Sequence, residues 1–381
     1  MSRRTILPLV ASLAAIPFAI VRRRRGFPSF VSRGGLARMF ACCMATVSLA
    51  IYGGESTILP AAPLVPGLEA KTPLSLADRG RVLHGELRCQ ACHQHNLGRG
   101  AGERPAPDLS DVGGRVSPEY LSRYLADPHA ARSGTLMPDL LVGKTDAERR
   151  EIAEALAHFL VSQSKSQFSA AAKRVDADVA VGKQLFQTIG CIACHSPRED
   201  DGRETPREGA VDLRHVSQKY GAASLAEFLH QPLAVRPGGR MPDMKLTAAE
   251  AASLASYLLD KSPPPAASLT PKPELVAAGK KHFQQLNCAA CHSLRDMPAA
   301  APLREARKDK PTGGCLSSTS TTAPRYNLDD RQIAALRAAL QVVTGDVGKS
   351  SERDEKTEKT AADRTAVAAT LVTFNCVACH V

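Results

Sequence analysis

Cys89–His93 reads CQACH, and the same frame returns as CIACH at Cys191–His195, CAACH at Cys288–His292 and CVACH at Cys376–His380. The second cysteines stand at 92, 194, 291 and 379, so the frame recurs after 102, 97 and 88 residues. One such pentapeptide carries little weight, but four at a near-constant spacing are one device repeated. The flanks repeat as well. RGRVLHGELRCQACH (79–93), VGKQLFQTIGCIACH (181–195) and AGKKHFQQLNCAACH (278–292) each place glycine nine residues before the first cysteine. Each reads as a short helix running into the motif.

Downstream, residues 106–138 align without a gap on residues 210–242 at an offset of 104. Leu109, Leu121, Leu125, Pro128, Arg132, Met137 and Pro138 all recur at that offset. Each of these two repeats then closes with an amphipathic helix. Thr145 and Thr247 open those helices, with Glu148 and Glu250 three residues on, the signature of a capping box. Ile152, Leu156, Phe159 and Leu160 form one apolar face, and Leu254, Tyr257 and Leu258 form its counterpart. No segment alternates as a strand, so the chain is expected to be all-α and built as helical beads.

Composition narrows the class. Hydrophobic residues make up 44% of the 381, which excludes a disordered chain, yet aromatic residues are only 4% and Trp is absent. Small domains so poor in aromatics need another source of buried apolar surface, and a large planar cofactor would supply it. The formal charge of +11 is mostly a leader effect: eight Arg precede residue 39, and the other 41 Lys and Arg face 38 Asp and Glu. No basic stripe with interleaved aromatics follows, so nucleic-acid binding is not expected. Residues 1–54 read as a signal or leader, with a basic segment, an apolar run over Met39–Tyr52 and small residues at Gly53 and Gly54. An N-terminal membrane anchor is the rival reading, and Cys42 and Cys43 fall inside the apolar run.

Two thiols on one helical turn can form thioethers to the two vinyl groups of a haem, and the adjacent histidine then lies under the iron. C-x-x-C-H is the attachment signature of c-type haem. Zinc would need its ligand set completed within each repeat, whereas the first two repeats offer methionine, a soft thioether better suited to haem iron. A thioredoxin-like dithiol expects a βαβ context that is missing. Cys89, Cys92, Cys191, Cys194, Cys288, Cys291, Cys376 and Cys379 are therefore the candidate attachment residues, with His93, His195, His292 and His380 as candidate iron ligands. The cofactor is haem c, three copies, with a fourth if the last motif is completed.

Each of the first two repeats resembles a class I cytochrome c. In that family a helix leads into C-x-x-C-H, a loop carries methionine before proline, and a C-terminal helix packs on the first. The resemblance implies Met137 and Met241 as distal ligands. It gives tandem class I cytochrome c-like domains over 72–162 and 176–261, and an atypical third over 273–343. A charged linker follows at 344–363, and 364–381 is the start of a truncated fourth. In the third repeat Ala323 falls where Met241 stands, and the segment from His292 to Leu328 is 36 residues against 51 from His195 to Leu246. Tyr326, Cys315, a histidine from elsewhere or an open position remain as alternatives for its sixth ligand. Arg132 and Arg236 are candidates to meet haem propionates, with solvated loop arginines as the alternative.

The reading that follows is an exported multihaem electron carrier, periplasmic or otherwise extracytoplasmic, with redox proteins as partners and membrane association through the N-terminal segment as an option. The competing readings are a haem enzyme of peroxidase-like or gas-binding type that uses an open third haem, and the electron-transfer arm of a larger oxidoreductase.

Overall fold

The computed structural model describes residues 63–69, 73–93, 104–170, 179–263, 265, 268–298, 313–345 and 355–378. The expected leader with Cys42 and Cys43, and Cys379 and His380 of the last motif, lie outside the described residues. Those described belong to one compact unit. They are helical, with isolated β-bridges and no strand among them, in agreement with the all-α expectation.

Among the described residues, nine helices of nine or more residues organise the unit: α1 (Leu76–Glu86), α2 (Pro118–Ala126), α3 (Asp146–Ser162), α4 (Val179–Thr188), α5 (Ala222–His230), α6 (Ala248–Leu259), α7 (Pro273–Gln285), α8 (Asp330–Gly345) and α9 (Glu355–Thr373). Their starts follow local chemistry. Ser75 and Ser117 accept from the amides of Asp78 and Tyr120. Thr145 with Glu148 and Thr247 with Glu250 form the reciprocal capping boxes read from the sequence. Each box satisfies two amides that a helix start leaves without partners.

The three glycines nine residues before a motif cysteine do one job. A Cβ on Gly80 would lie 1.9 Å from the Ala335 carbonyl oxygen, on Gly182 2.1 Å from that of Ser253, and on Gly279 2.0 Å from that of Ala155. Only glycine lets these helix pairs cross so closely. In the second repeat the crossing is internal, α4 on α6. In the other two it is exchanged: α1 packs on α8, and α7 packs on α3. This departs from the expectation that the last helix of each bead closes on its own first helix. The physical reason is that α1 and α7 carry the same glycine signal, so local pattern allows either to cross α3. Side-chain fit decides, because Phe283 of α7 is 1% exposed and meets Phe159 of α3 edge-on at 5.6 Å between ring centres.

Three cores result. One joins Val82, Leu83 and Leu87 to Ala335 and Leu336, and takes in Val372 of α9. A second joins Tyr120, Leu121, Leu156 and Leu160 to Phe283 and Leu294. The third, built from Phe186, Leu225, Leu229, Leu254 and Leu258, lies wholly within the second repeat. The first and second repeats also dock. Ser117, fully buried, donates from its amide and hydroxyl to the carbonyls of Lys219 and Gln218 at 2.8 and 2.9 Å.

Candidate haem sites

All four motifs begin with the same backbone device. The residue before the first cysteine is left-handed in each: Arg88 at φ 54°, Gly190 at 98°, Asn287 at 55° and Asn375 at 54°. Its carbonyl accepts from the alanine amide three residues on, at 2.9 to 3.0 Å in every copy. This residue ends the leading helix and swings the two cysteines onto a single turn. Glycine and asparagine tolerate this region. Their presence at 190, 287 and 375 was a signal that the sequence reading passed over. Arg88 is the exception, and its guanidinium donates to the Arg104 carbonyl at 3.3 Å.

The turn places the histidines. In each of the three motifs whose histidine is described, the histidine amide donates to the first cysteine's carbonyl, at 2.9 to 3.0 Å. His195 Nδ1 lies 3.1 Å from the Val211 carbonyl oxygen, and His292 Nδ1 lies 2.9 Å from that of Pro107. A carbonyl can only accept, so Nδ1 carries the proton in both rings and Nε2 presents a lone pair. Burial holds His93, His195 and His292 below the usual imidazole pKa, keeping them neutral. A neutral imidazole tied through its far nitrogen is the form that ligates metal. Val211 and Pro107 are the same position in the 104-residue repeat, yet Pro107 belongs to the first repeat and His292 to the third.

The first thiol of each of these motifs faces an apolar core. Burial pushes Cys89 and Cys288 up to about 12, and raises Cys191. Thiols held protonated this firmly are poor redox nucleophiles. No group of three or more His, Cys, Asp or Glu is arranged to hold a metal ion among the described residues. Met241 packs with Cys191 against the second-repeat core. Met137 is half-buried, and its amide donates to Thr135 Oγ1 at 3.3 Å, while the Thr135 and Tyr124 hydroxyls pair at 2.6 Å.

Two of the donors expected for motif three, Tyr326 and Cys315, pack chiefly around motif one. Tyr326 packs beside Cys89, and its hydroxyl donates to the Leu87 carbonyl at 3.1 Å. Its phenol is pushed well up, first by burial and then by Cys89, so it stays protonated. Cys315 is the neighbour that, after burial, acts most on Cys89. Both residues thus flank motif one. Met297 packs on the same core as Cys288, the one that joins α3 and α7.

Basic side chains collect where the first two repeats meet. Burial drives Lys219 and His215 well below their usual values, and Arg132 and Arg236 add to both shifts; no acid is among the causes. Arg236 is lowered the same way. Nearby, one buried carboxylate, Glu86, pairs with both Arg240 and Arg104. A partly buried group of basic side chains with no carboxylate acting on Lys219 or His215 fits a group that brings its own carboxylates, as haem does with its propionates. Buried thiols on one turn, neutral histidines with Nε2 presented and this basic wall together fit haem c.

Residues 179–262 match the cytochrome c family model. The match supports a c-type cytochrome domain over this stretch, with haem c and haem-based electron transfer as its general chemistry. Comparison with curated proteins and with solved structures gave no match. No helix among the described residues is long and apolar enough to cross a membrane.

Proposed function

We propose that the chain is an exported multihaem c-type cytochrome that passes electrons through haems set in series between redox partner proteins. The observation that carries this reading is the attachment turn built four times, each with its left-handed residue and the same carbonyl–amide closure. A haem held at such a site takes up and releases one electron at a time at its iron. The chain's own residues hold His195 and His292 neutral and oriented, wall off water with the three cores, and supply basic side chains at the junction of the first two repeats. The sites also lie close. Tyr326 feels the thiols of Cys89, Cys92 and Cys315 as well as Cys291 of motif three. The Asn375 side-chain Nδ2, just before motif four, lies 3.9 Å from Cys194 Sγ of motif two. Pairs of sites in contact suit transfer between haems.

Expression with a c-haem maturation system should give haem that survives denaturing electrophoresis and acid extraction. Replacing Cys89 and Cys92 together by alanine should remove a quarter to a third of it. A colourless, zinc-loaded product would overturn the reading.

A further inference from the structure

We propose that the first and third motifs exchange the halves that complete their sites: His292 shares its pocket with Met137, and His93 shares its pocket with Tyr326 and Cys315. The inference rests on the multihaem reading above and revises which haem lacks methionine.

The second repeat shows what a complete site looks like in this chain. Its leading helix α4 crosses α6 at Gly182, its histidine Nδ1 donates to the carbonyl of Val211, and Cys191 and Met241 pack on one core. For motif three every counterpart comes from the first repeat. The crossing of Gly279 is with Ala155 of α3. The carbonyl on His292 is that of Pro107, 104 residues before Val211. The following loop is laced to the same segment: the Leu109 amide donates to the Ser293 carbonyl at 2.9 Å, the Ser293 hydroxyl to Asp108 at 2.6 Å, and the Arg295 amide to the Ser110 hydroxyl at 3.0 Å. Cys288 packs on a core made largely of first-repeat side chains. Residues 107–138 therefore stand to motif three as residues 211–242 stand to motif two. The position of Met241 in that frame is Met137.

Motif one takes the remaining half. Gly80 crosses Ala335 of α8, and Cys89 packs on a core with Leu316, Tyr326 and Leu328. The Met241 position in this half is Ala323, and the donors that this half brings beside Cys89 are Tyr326 and Cys315. The two exchanged loops are bound to each other. Asp139, two residues past Met137, and Arg325, one before Tyr326, exchange backbone hydrogen bonds at 2.8 and 3.0 Å. The Asp139 carboxylate, 3% exposed, also meets Arg149 at 2.8 Å and Arg325 at 3.1 Å. This tie sets the register of the exchange.

Two measurements on the full chain test it. In the haem-loaded protein, paired cysteine-to-alanine changes are made at motif one or at motif three, and Met-ligated ferric haems are counted from the weak sulfur-to-iron band. Exchange predicts that losing motif three halves the band and losing motif one leaves it intact; the reverse result overturns it. Independently, Arg295→Lys is treated with a zero-length carbodiimide. Arg295 and Asp111 are exposed and 3.5 Å apart, so peptides around 111 and 295 should join in a chain of monomer mass. Absence of that link overturns the exchange whether or not haem is bound. Absence of covalent haem from the unaltered chain overturns the multihaem reading instead, and the cross-link still decides the exchange.

Discussion

Phe283→Ala separates an exchanged pairing from a serial one by where the damage appears. Phe283 is 1% exposed and Phe159 2%, with their rings at 5.6 Å and 60°. Truncating a buried Phe costs about 3–5 kcal/mol through lost transfer energy and the cavity left behind. The lost aromatic pair accounts for about 0.5–1.5 kcal/mol of that. Because α7 packs on α3, the cost falls on the unit holding Pro118–Ala126 and Asp146–Ser162. Amide hydrogen exchange read by mass spectrometry resolves this. Where exchange follows local opening, 3–5 kcal/mol speeds it by roughly a hundred- to several-thousand-fold. That acceleration is expected in α3 and α7, with α8 and the second repeat unchanged. Phe186→Ala is the matched control, since Phe186 meets Tyr257 at 5.6 Å inside the second repeat, and it should loosen α4 and α6 alone. Protection lost in α8 and kept in α3 would refute the reasoning.

Glu204 is 4% exposed and raised to about 7, chiefly by burial, against the lowering pull of the Leu213 amide and of Arg198 at 3.6 Å. A carboxyl whose folded pKa is raised stabilises the fold fully below its unfolded value of about 4.3, and that stability is lost as pH rises through 7, by about 4 kcal/mol at most. Glu204→Gln should flatten the fall in thermal midpoint between pH 4.5 and 7, and an unchanged slope would count against this account. Met241→Ala should leave covalent haem at motif two while lowering that haem's potential and admitting carbon monoxide to the ferrous iron. An unaltered sulfur-to-iron band in this variant would show that Met241 is not a ligand.

Local signals were legible because they are short-range. The C-x-x-C-H frames, the capping boxes at Thr145 and Thr247 and the glycines nine residues before each of the first three motifs depend on neighbours within a turn or two, so spacing alone exposes them. The left-handed residue before each motif was equally local, but Arg88 in that place hides the rule that Gly190, Asn287 and Asn375 obey. Partner choice was not legible. Helices α1 and α7 present the same glycine to a crossing helix, and α3 and α8 both offer an apolar face, so the repeat pattern is blind to which pairs with which. The sequence by itself determined the helices, the repeated C-x-x-C-H frames and the histidines that follow them. Only the tertiary structure decided that Phe283 buries against Phe159, that Pro107 holds His292, and that Tyr326 stands beside Cys89. Those choices turn on packing complementarity between segments more than a hundred residues apart, which no local pattern carries.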